Sequence, residues 1–133
     1  NMATYDLREA VNLSSARSEP DLDEFEAAGL TKAESRLVKA PRVAESPVHI
    51  ECAYHMTIRL PGEPSSEAID LVFGRVLGVQ IDDAALTEDG RIDVVKLKPL
   101  ARMGYMDYLA ADRIFEMMAP GSEEVQRRMA GKT

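Results

Sequence analysis

His49, Glu51 and His55 share one parity within the stretch Val48–Leu60 and are the side chains best spaced for metal chemistry. On an extended strand His49 and Glu51 lie roughly 7 Å apart and could share an ion, but His55 lies on the order of 20 Å from His49 and cannot join them. A solvated strand face is the simpler reading, and no metal is expected. The lone cysteine, Cys52, falls on the opposite, apolar parity. There a thiol acts as a small hydrophobe and stays protonated instead of serving as a nucleophile. Placing Gly90 at the glycine of a calcium-binding loop puts Ala85 at the first ligand position and Lys96 where a bidentate glutamate is needed. Gly131-Lys132-Thr133 ends like a phosphate loop, yet Gln126 stands at its first glycine position. No G-x-G-x-x-G is present, so the phosphate fingerprint of the dinucleotide fold is absent. No catalytic dyad or triad is legible, and no catalytic side chain is assigned.

The elements that would position a site are clearest in the middle of the chain. Val48, Ile50, Cys52, Tyr54, Met56, Ile58 and Leu60 alternate with His49, Glu51, Ala53, His55, Thr57 and Arg59. A period of two sustained this long predicts one strand, with the first set buried and the second wet. Residues 61–66, Pro-Gly-Glu-Pro-Ser-Ser, read as a turn-rich connection to a second long strand, Ile69–Ile81, pairing antiparallel with the first. This second strand is apolar on both parities and needs cover on both faces. Gly74 and Gly78 mark a bulge, a bend or a close backbone approach within it.

Flanking signals are shorter. Residues 5–13 read as an amphipathic helix with Thr4 as N-cap, and residues 23–28 as a short helix stopped by Gly29. Residues 31–46 read as extended loop with at most a short strand around 36–38. A turn at Asp89-Gly90 precedes a helix over 93–98 that Pro99 stops. Residues 100–103 and 108–118 supply one or two further strands. Pro120-Gly121 closes the domain (residues 1–120), and residues 121–133 form a peripheral helix and tail capped by Ser122. Glu123/Arg127 and Glu124/Arg128 stand there at i, i+4.

Composition narrows the class without naming an activity. The 133 residues fit one domain, and 45% hydrophobic with 29% charged content is globular. Lys and Arg number 16 against 23 Asp and Glu, a net charge of −7. That balance argues against nucleic acid or an anionic membrane as partner. No apolar run approaches the ~20 residues of a bilayer span, and a single cysteine fits a reducing, cytoplasmic setting.

Five stretches, taken in order, resemble the flavin reductase-like family. Residues 1–10, Asn-Met-Ala-Thr-Tyr-Asp-Leu-Arg-Glu-Ala, resemble the end of a barrel strand entering a helix. Asp23-Glu24-Phe25 with Gly29-Leu30 resembles the family's D-E-F…G-L. Residues 41–52, PRVAESPVHIEC, are similar to its P-R-V-x-E-S-P-V-x-x-E-C. Phe73-Gly74-Arg75-Val76 is similar to its I-G-E-V strand, and residues 97–104, LKPLARMG, to its L-R-P-L-x-R-L-G.

The resemblance implies a mainly β fold with short helices, a split β-barrel of the flavin reductase kind lacking its N-terminal strands. It also implies FMN as cofactor, NAD(P)H as hydride donor, NAD(P)H:flavin oxidoreductase activity, a homodimer and a flavin-dependent oxygenase as customer. Asn1 is implied at a flavin edge, and Arg102 and Tyr108 as a cation and a ring near the isoalloxazine. Glu45 and Ser46 are further cofactor-binding candidates. The chain departs from the pattern at Tyr105, where members carry glycine, and at Gln80, often histidine. The family's phosphate contacts belong to a half not matched here, so these 133 residues alone are expected to be inactive. The alternative is a non-catalytic barrel module that binds flavin, haem or a protein partner.

Overall fold

The computed structural model describes residues 1–62 and 68–131. Its centre is an antiparallel hairpin of two thirteen-residue strands, Val48–Leu60 (β3) and Ile69–Ile81 (β4), with Val48 opposite Ile81 and Leu60 opposite Ile69. Both strands match the expected bounds; the expected connection between them lies mostly outside the described residues. Two register shifts interrupt the ladder, between Glu51 and Cys52 and between Tyr54 and Met56, opposite Gly78 and Gly74. The glycines answer to crowding. A Cβ on Gly74 would stand 2.9 Å from the Cβ of Cys52, and one on Gly78 would stand 2.7 Å from Cδ1 of Leu37.

At the head of β3 the covered residues are not the ones its pattern predicts: beyond Val48 it is the polar parity that is buried there, and residues 54–60 are exposed on both parities. His49 and Glu51 are 3% and 4% exposed, whereas Ile50 is 56% and Tyr54 71% exposed, and Cys52 is exposed too. The cause is the segment before β3. Its loop lies over His49 and Glu51 and supplies hydrogen-bonding groups there, while past Val48 the apolar parity is exposed. A burial pattern read from hydrophobicity assumes that the apolar face is the one packed. Here local polar partners decide instead.

That loop is not one extended segment. Lys32–Ala33 (β1) pairs antiparallel with Arg42–Val43 (β2), and the strand expected around 36–38 does not form. Ahead of it, a 3₁₀ turn at Tyr5–Leu7 leads into Arg8–Ser14 (α1). Thr4 makes no side-chain cap; it is buried and bridges Pro99. Glu24–Ala27 (α2) is capped by Asp23, which accepts the Phe25 N–H, and Gly29 follows at φ +67, a left-handed value suited to glycine.

After β4, a 3₁₀ turn at Asp83–Ala85 and a helix at Val94–Leu97 (α3), capped by Asp93, precede a short antiparallel pair. Its strands are Leu100–Arg102 (β5) and Tyr108–Ala110 (β6). The strand expected over 108–118 stops at Ala110. The apolar residues beyond it, Ile114, Phe115, Met117 and Met118, have strand-like character but are exposed and pair with no strand. The last helix, Ser122–Ala130 (α4), starts one residue earlier than a Ser122 cap implies, with Gly121 at the N-cap position. Glu124 pairs with Arg128 at 2.5 Å; Arg127 reaches the backbone carbonyl of Glu123, not its carboxylate.

The architecture is therefore mainly strands with short helices, in three two-stranded sheets joined by loop contacts. Val48 and Ala85 are the buried apolar residues among those described. The accessible surface is 11282 Å², against about 6,900 Å² for a folded monomer of this mass.

Candidate cofactor site

Arg102 and Tyr108 come together because β5 and β6 pair in register, Arg102 opposite Tyr108. The guanidinium carbon sits 4.7 Å from the centre of the Tyr108 ring, within cation–π range. The connecting turn is closed by Met103 N–H donating to the Asp107 carbonyl at 3.0 Å, and Arg102 Nη2 donates to the Tyr105 carbonyl at 2.7 Å. Tyr105 sits at φ +57, in the left-handed region where glycine is the easy residue. The departure from the glycine pattern thus falls on a backbone position where glycine would be at home.

Tyr108 lines a cavity of about 300 Å³ together with Tyr5, Arg8, Asn12, Leu100 and Met106. The cavity lies between the start of α1 and the β5–β6 pair. Sequence reasoning did not find Tyr5 or Arg8. Their i, i+3 spacing at a helix start was the available signal, and it also describes an ordinary surface contact. Arg8 lies over the Tyr5 ring at 4.3 Å and its Nη1 donates to the Tyr5 carbonyl at 3.0 Å.

Of the candidates read from sequence only Tyr108 lines this cavity; Arg102 meets it through the Tyr108 ring, and Asn1, Glu45 and Ser46 lie elsewhere. Asn1 Oδ1 accepts the Val43 N–H at 2.9 Å and borders two other cavities, of about 200 and 280 Å³. Ser46 is fully buried, its hydroxyl 3.0 Å from both the Met2 and the Val48 carbonyl, so it ties the first residues to the head of β3. Met2 N–H strengthens the same tie by donating to the Val48 carbonyl at 2.8 Å. Glu45 accepts the Thr31 N–H at 2.9 and 3.2 Å and borders a cavity of about 340 Å³ beside Thr4 and Lys96. Hydrogen bonding from Thr31, by its side chain and then its backbone, holds the Glu45 carboxyl below its ordinary range.

His49 and Glu51, the pair spaced for a metal, are engaged elsewhere. Glu51 accepts the N–H groups of Arg36 at 2.9 Å and Leu37 at 2.6 Å, and a hydrogen bond from the Gln80 amide. The Arg36 N–H leads in holding its carboxyl below the ordinary value, against the opposing effect of desolvation. His49 Nε2 lies 2.8 Å from the Val43 carbonyl and Nδ1 3.3 Å from Nη1 of Arg42. Nε2 is thus the protonated nitrogen if the ring is neutral. Gln80, the position noted for its departure from histidine, serves this network. Among the described residues no three His, Cys, Asp or Glu side chains gather into a metal-holding group. No helix among them is long and apolar enough to cross a membrane.

No family model matches the chain. An uncharacterized protein of Halalkalibacterium halodurans is 36% identical over 112 residues, 84% of this chain and 53% of that protein. The chain spans about half the length of the curated relatives it matches. Among solved structures it is similar to nitrilotriacetate monooxygenase component B from Bacillus cereus, with a TM-score of 0.77 and 31% identity over 87% of this chain and 57% of that one. It is similar also to a Shewanella frigidimarina protein assigned as a flavin reductase with a split barrel domain, with a TM-score of 0.74 and 28% identity over 90% and 59% of the two chains. By fold, then, the chain is a flavin reductase-like split-barrel protein, aligned with somewhat more than half of each matched structure.

Proposed function

We propose that the protein binds FMN against the Arg102–Tyr108 wall and passes hydride from NAD(P)H to that flavin. The observation that carries this reading is the stacked Arg102–Tyr108 pair at the edge of a cavity, in a chain with a flavin reductase-like fold. A volume of about 300 Å³ lies at the lower end of the ~300–1,000 Å³ range of ligand cavities. Its lining offers a planar ring the Tyr108 and Tyr5 phenols, the polarizable Met106 thioether and the apolar side of Leu100, with Arg8 and Glu9 as its charges and Arg102 against the Tyr108 ring.

Bound FMN would supply the hydride-accepting ring. Arg102 places fixed positive charge where a reduced flavin gathers negative charge, and the backbone contact to Tyr105 keeps that charge oriented. Tyr108 and Leu100 offer the ring an apolar wall. Asn1 borders the neighbouring cavities instead; its amide N–H groups are not used by the Val43 contact, which takes its oxygen. Ser46 and Glu45 are positioning residues, which hold the first residues and the loop before β3 in place. Hydride transfer needs no side-chain acid or base, so the mechanism asks for no dyad.

The working assembly is a homodimer with a flavin-dependent oxygenase as customer. The excess accessible surface and the bare apolar faces of β4 support further cover, part of it from a second copy. The name of the Bacillus cereus neighbour, a monooxygenase component, supports the customer. These 133 residues alone bind FMN weakly and do not turn over, because the phosphate contacts implied by the resemblance lie outside the matched stretches. The test is an absorbance spectrum of the purified protein with an assay of NAD(P)H oxidation under added FMN. Saturable flavin binding supports the reading, and flavin binding without turnover in a full-length preparation favours the non-catalytic module. A protein that takes up no flavin in any preparation overturns the FMN reading and leaves the haem- or partner-binding module.

A further inference from the structure

The buried histidine at the head of β3 takes no part in the flavin reading. His49 is 3% exposed and bonded at both ring nitrogens. A guanidinium only donates, so Nδ1, 3.3 Å from Nη1 of Arg42, is the acceptor, and Nε2–H donates to the Val43 carbonyl at 2.8 Å. One neutral ring thereby clasps both residues of β2. Arg42 also donates from Nε to the Glu34 carbonyl at 3.0 Å, so its side chain ties the 34–42 loop to β3. Of the elements packed at the ring, β2 presents the charge of Arg42. Within β3 lies Glu51, whose carboxylate is taken up by the N–H groups of Arg36 and Leu37 and by the Gln80 amide. β4 places the uncharged Gln80 opposite His49. Asn1 and the Cys52 thiol border the same cavity of about 280 Å³ as His49, Arg42 and Glu51.

We propose that His49 is a proton-operated clasp for the 34–42 loop. Histidine is the side chain that changes charge between about pH 5 and 8. A proton on Nδ1 removes the lone pair that Arg42 uses and sets an imidazolium against a guanidinium, with no hydrogen bond left between them. The Val43 bond survives, because Nε2 is a donor in either state. Arg42 therefore lets go first. Its release frees the Glu34 end of the loop and opens the cavity that Arg42 and His49 line together. The two-state element is the Arg42 side chain, and the charge on the ring biases it. Glu45 and Glu51 take up protons only below about pH 4.5, so the loop loosens before the carboxyl contacts fail. The clasp is independent of the flavin reading, since neither residue borders the Tyr108 cavity. The competing view is a static polar core whose ring stays neutral.

The test is an NMR titration of the 133-residue chain from about pH 8 to 5, following the His49 ring and the Arg42 Nε–H, for wild type, His49→Gln and His55→Gln. Glutamine supplies a donor and an acceptor and does not titrate. In wild type the Arg42 signal should move with the same midpoint as the His49 ring. Exchange of the Arg42 Nε–H, taken as the ratio to His49→Gln at the same pH, should rise about five-fold at the acid end. His55→Gln should behave as wild type, since His55 is exposed and lies outside the cavity. A His49 ring that stays neutral throughout overturns the proposal, and so does a ring that titrates while Arg42 stays still. An Arg42 response that persists in His49→Gln, or vanishes in His55→Gln, overturns it as well. Should His49→Gln fail to fold, the wild-type midpoints decide: coincidence supports the clasp, and separate midpoints overturn it.

Discussion

Arg102 lies directly across the β5–β6 pair from Tyr108, its guanidinium 4.7 Å from the ring centre. A cross-strand partnership fixes this contact more firmly than a loop could. The backbone ladder sets the spacing of the two side chains, and the turn between them is clamped by the same arginine. A cofactor arriving at Tyr108 thus meets a charge already in place.

The bulges of the central hairpin give a stability prediction. Gly74→Ala brings its Cβ to 2.9 Å from the Cβ of Cys52, an atom that moves only with its backbone. Overpacking of this sort costs about 1–3 kcal/mol. Gly104→Ala, with nothing within 4 Å of the new carbon, should lie within about 0.5 kcal/mol of wild type. Chemical denaturation of the two variants side by side checks the contrast.

Low pH should loosen the loops that hold β3. Asp23 is held below its ordinary 3.8 chiefly by Lys32, and Glu45 and Glu51 below 4.5 by Thr31 and by the Arg36 N–H. Carboxyls held low in the folded state take up protons more readily in the unfolded one. Their contribution is therefore complete above about pH 4.5 and is lost as pH falls through the depressed folded values. Melting temperature followed from pH 7 to pH 3 should decline below that point, and Glu51→Gln should decline less steeply.

The alternation of Val48–Leu60 and the apolar content of Ile69–Ile81 made both long strands legible, since a period of two over thirteen residues has no helical reading. Which face is covered was not legible, because the donors that bury Glu51 come from Arg36 and Leu37, fifteen and fourteen residues earlier. The 31–46 loop hid two strands of two residues each, too short to show a period. Ile114 to Met118 looked like strand because apolar content alone cannot reveal the lack of a partner. Arg102 and Tyr108 were found through the resemblance, whereas Tyr5 and Arg8 entered only once their shared cavity was seen.

Association should follow from the uncovered hairpin. Val72, Val76 and Val79 are more than half exposed on β4, as is Tyr54 on β3. Sedimentation at micromolar concentration should give about twice the 14.7 kDa of one chain. Val72→Lys and Val76→Lys together should return the monomer, since charge within an apolar interface must be desolvated. A wild-type chain that sediments as a monomer would count against the homodimer.

Flavin binding at the Arg102–Tyr108 wall is tested most directly by titrating FMN, through its fluorescence, with wild type, Arg102→Gln and Tyr108→Ala. For the 133-residue chain the expected result is saturable quenching weaker than micromolar, and at least ten-fold weaker again in either variant, about 1.4 kcal/mol. Quenching that never saturates, or that saturates alike in all three proteins, would contradict the site.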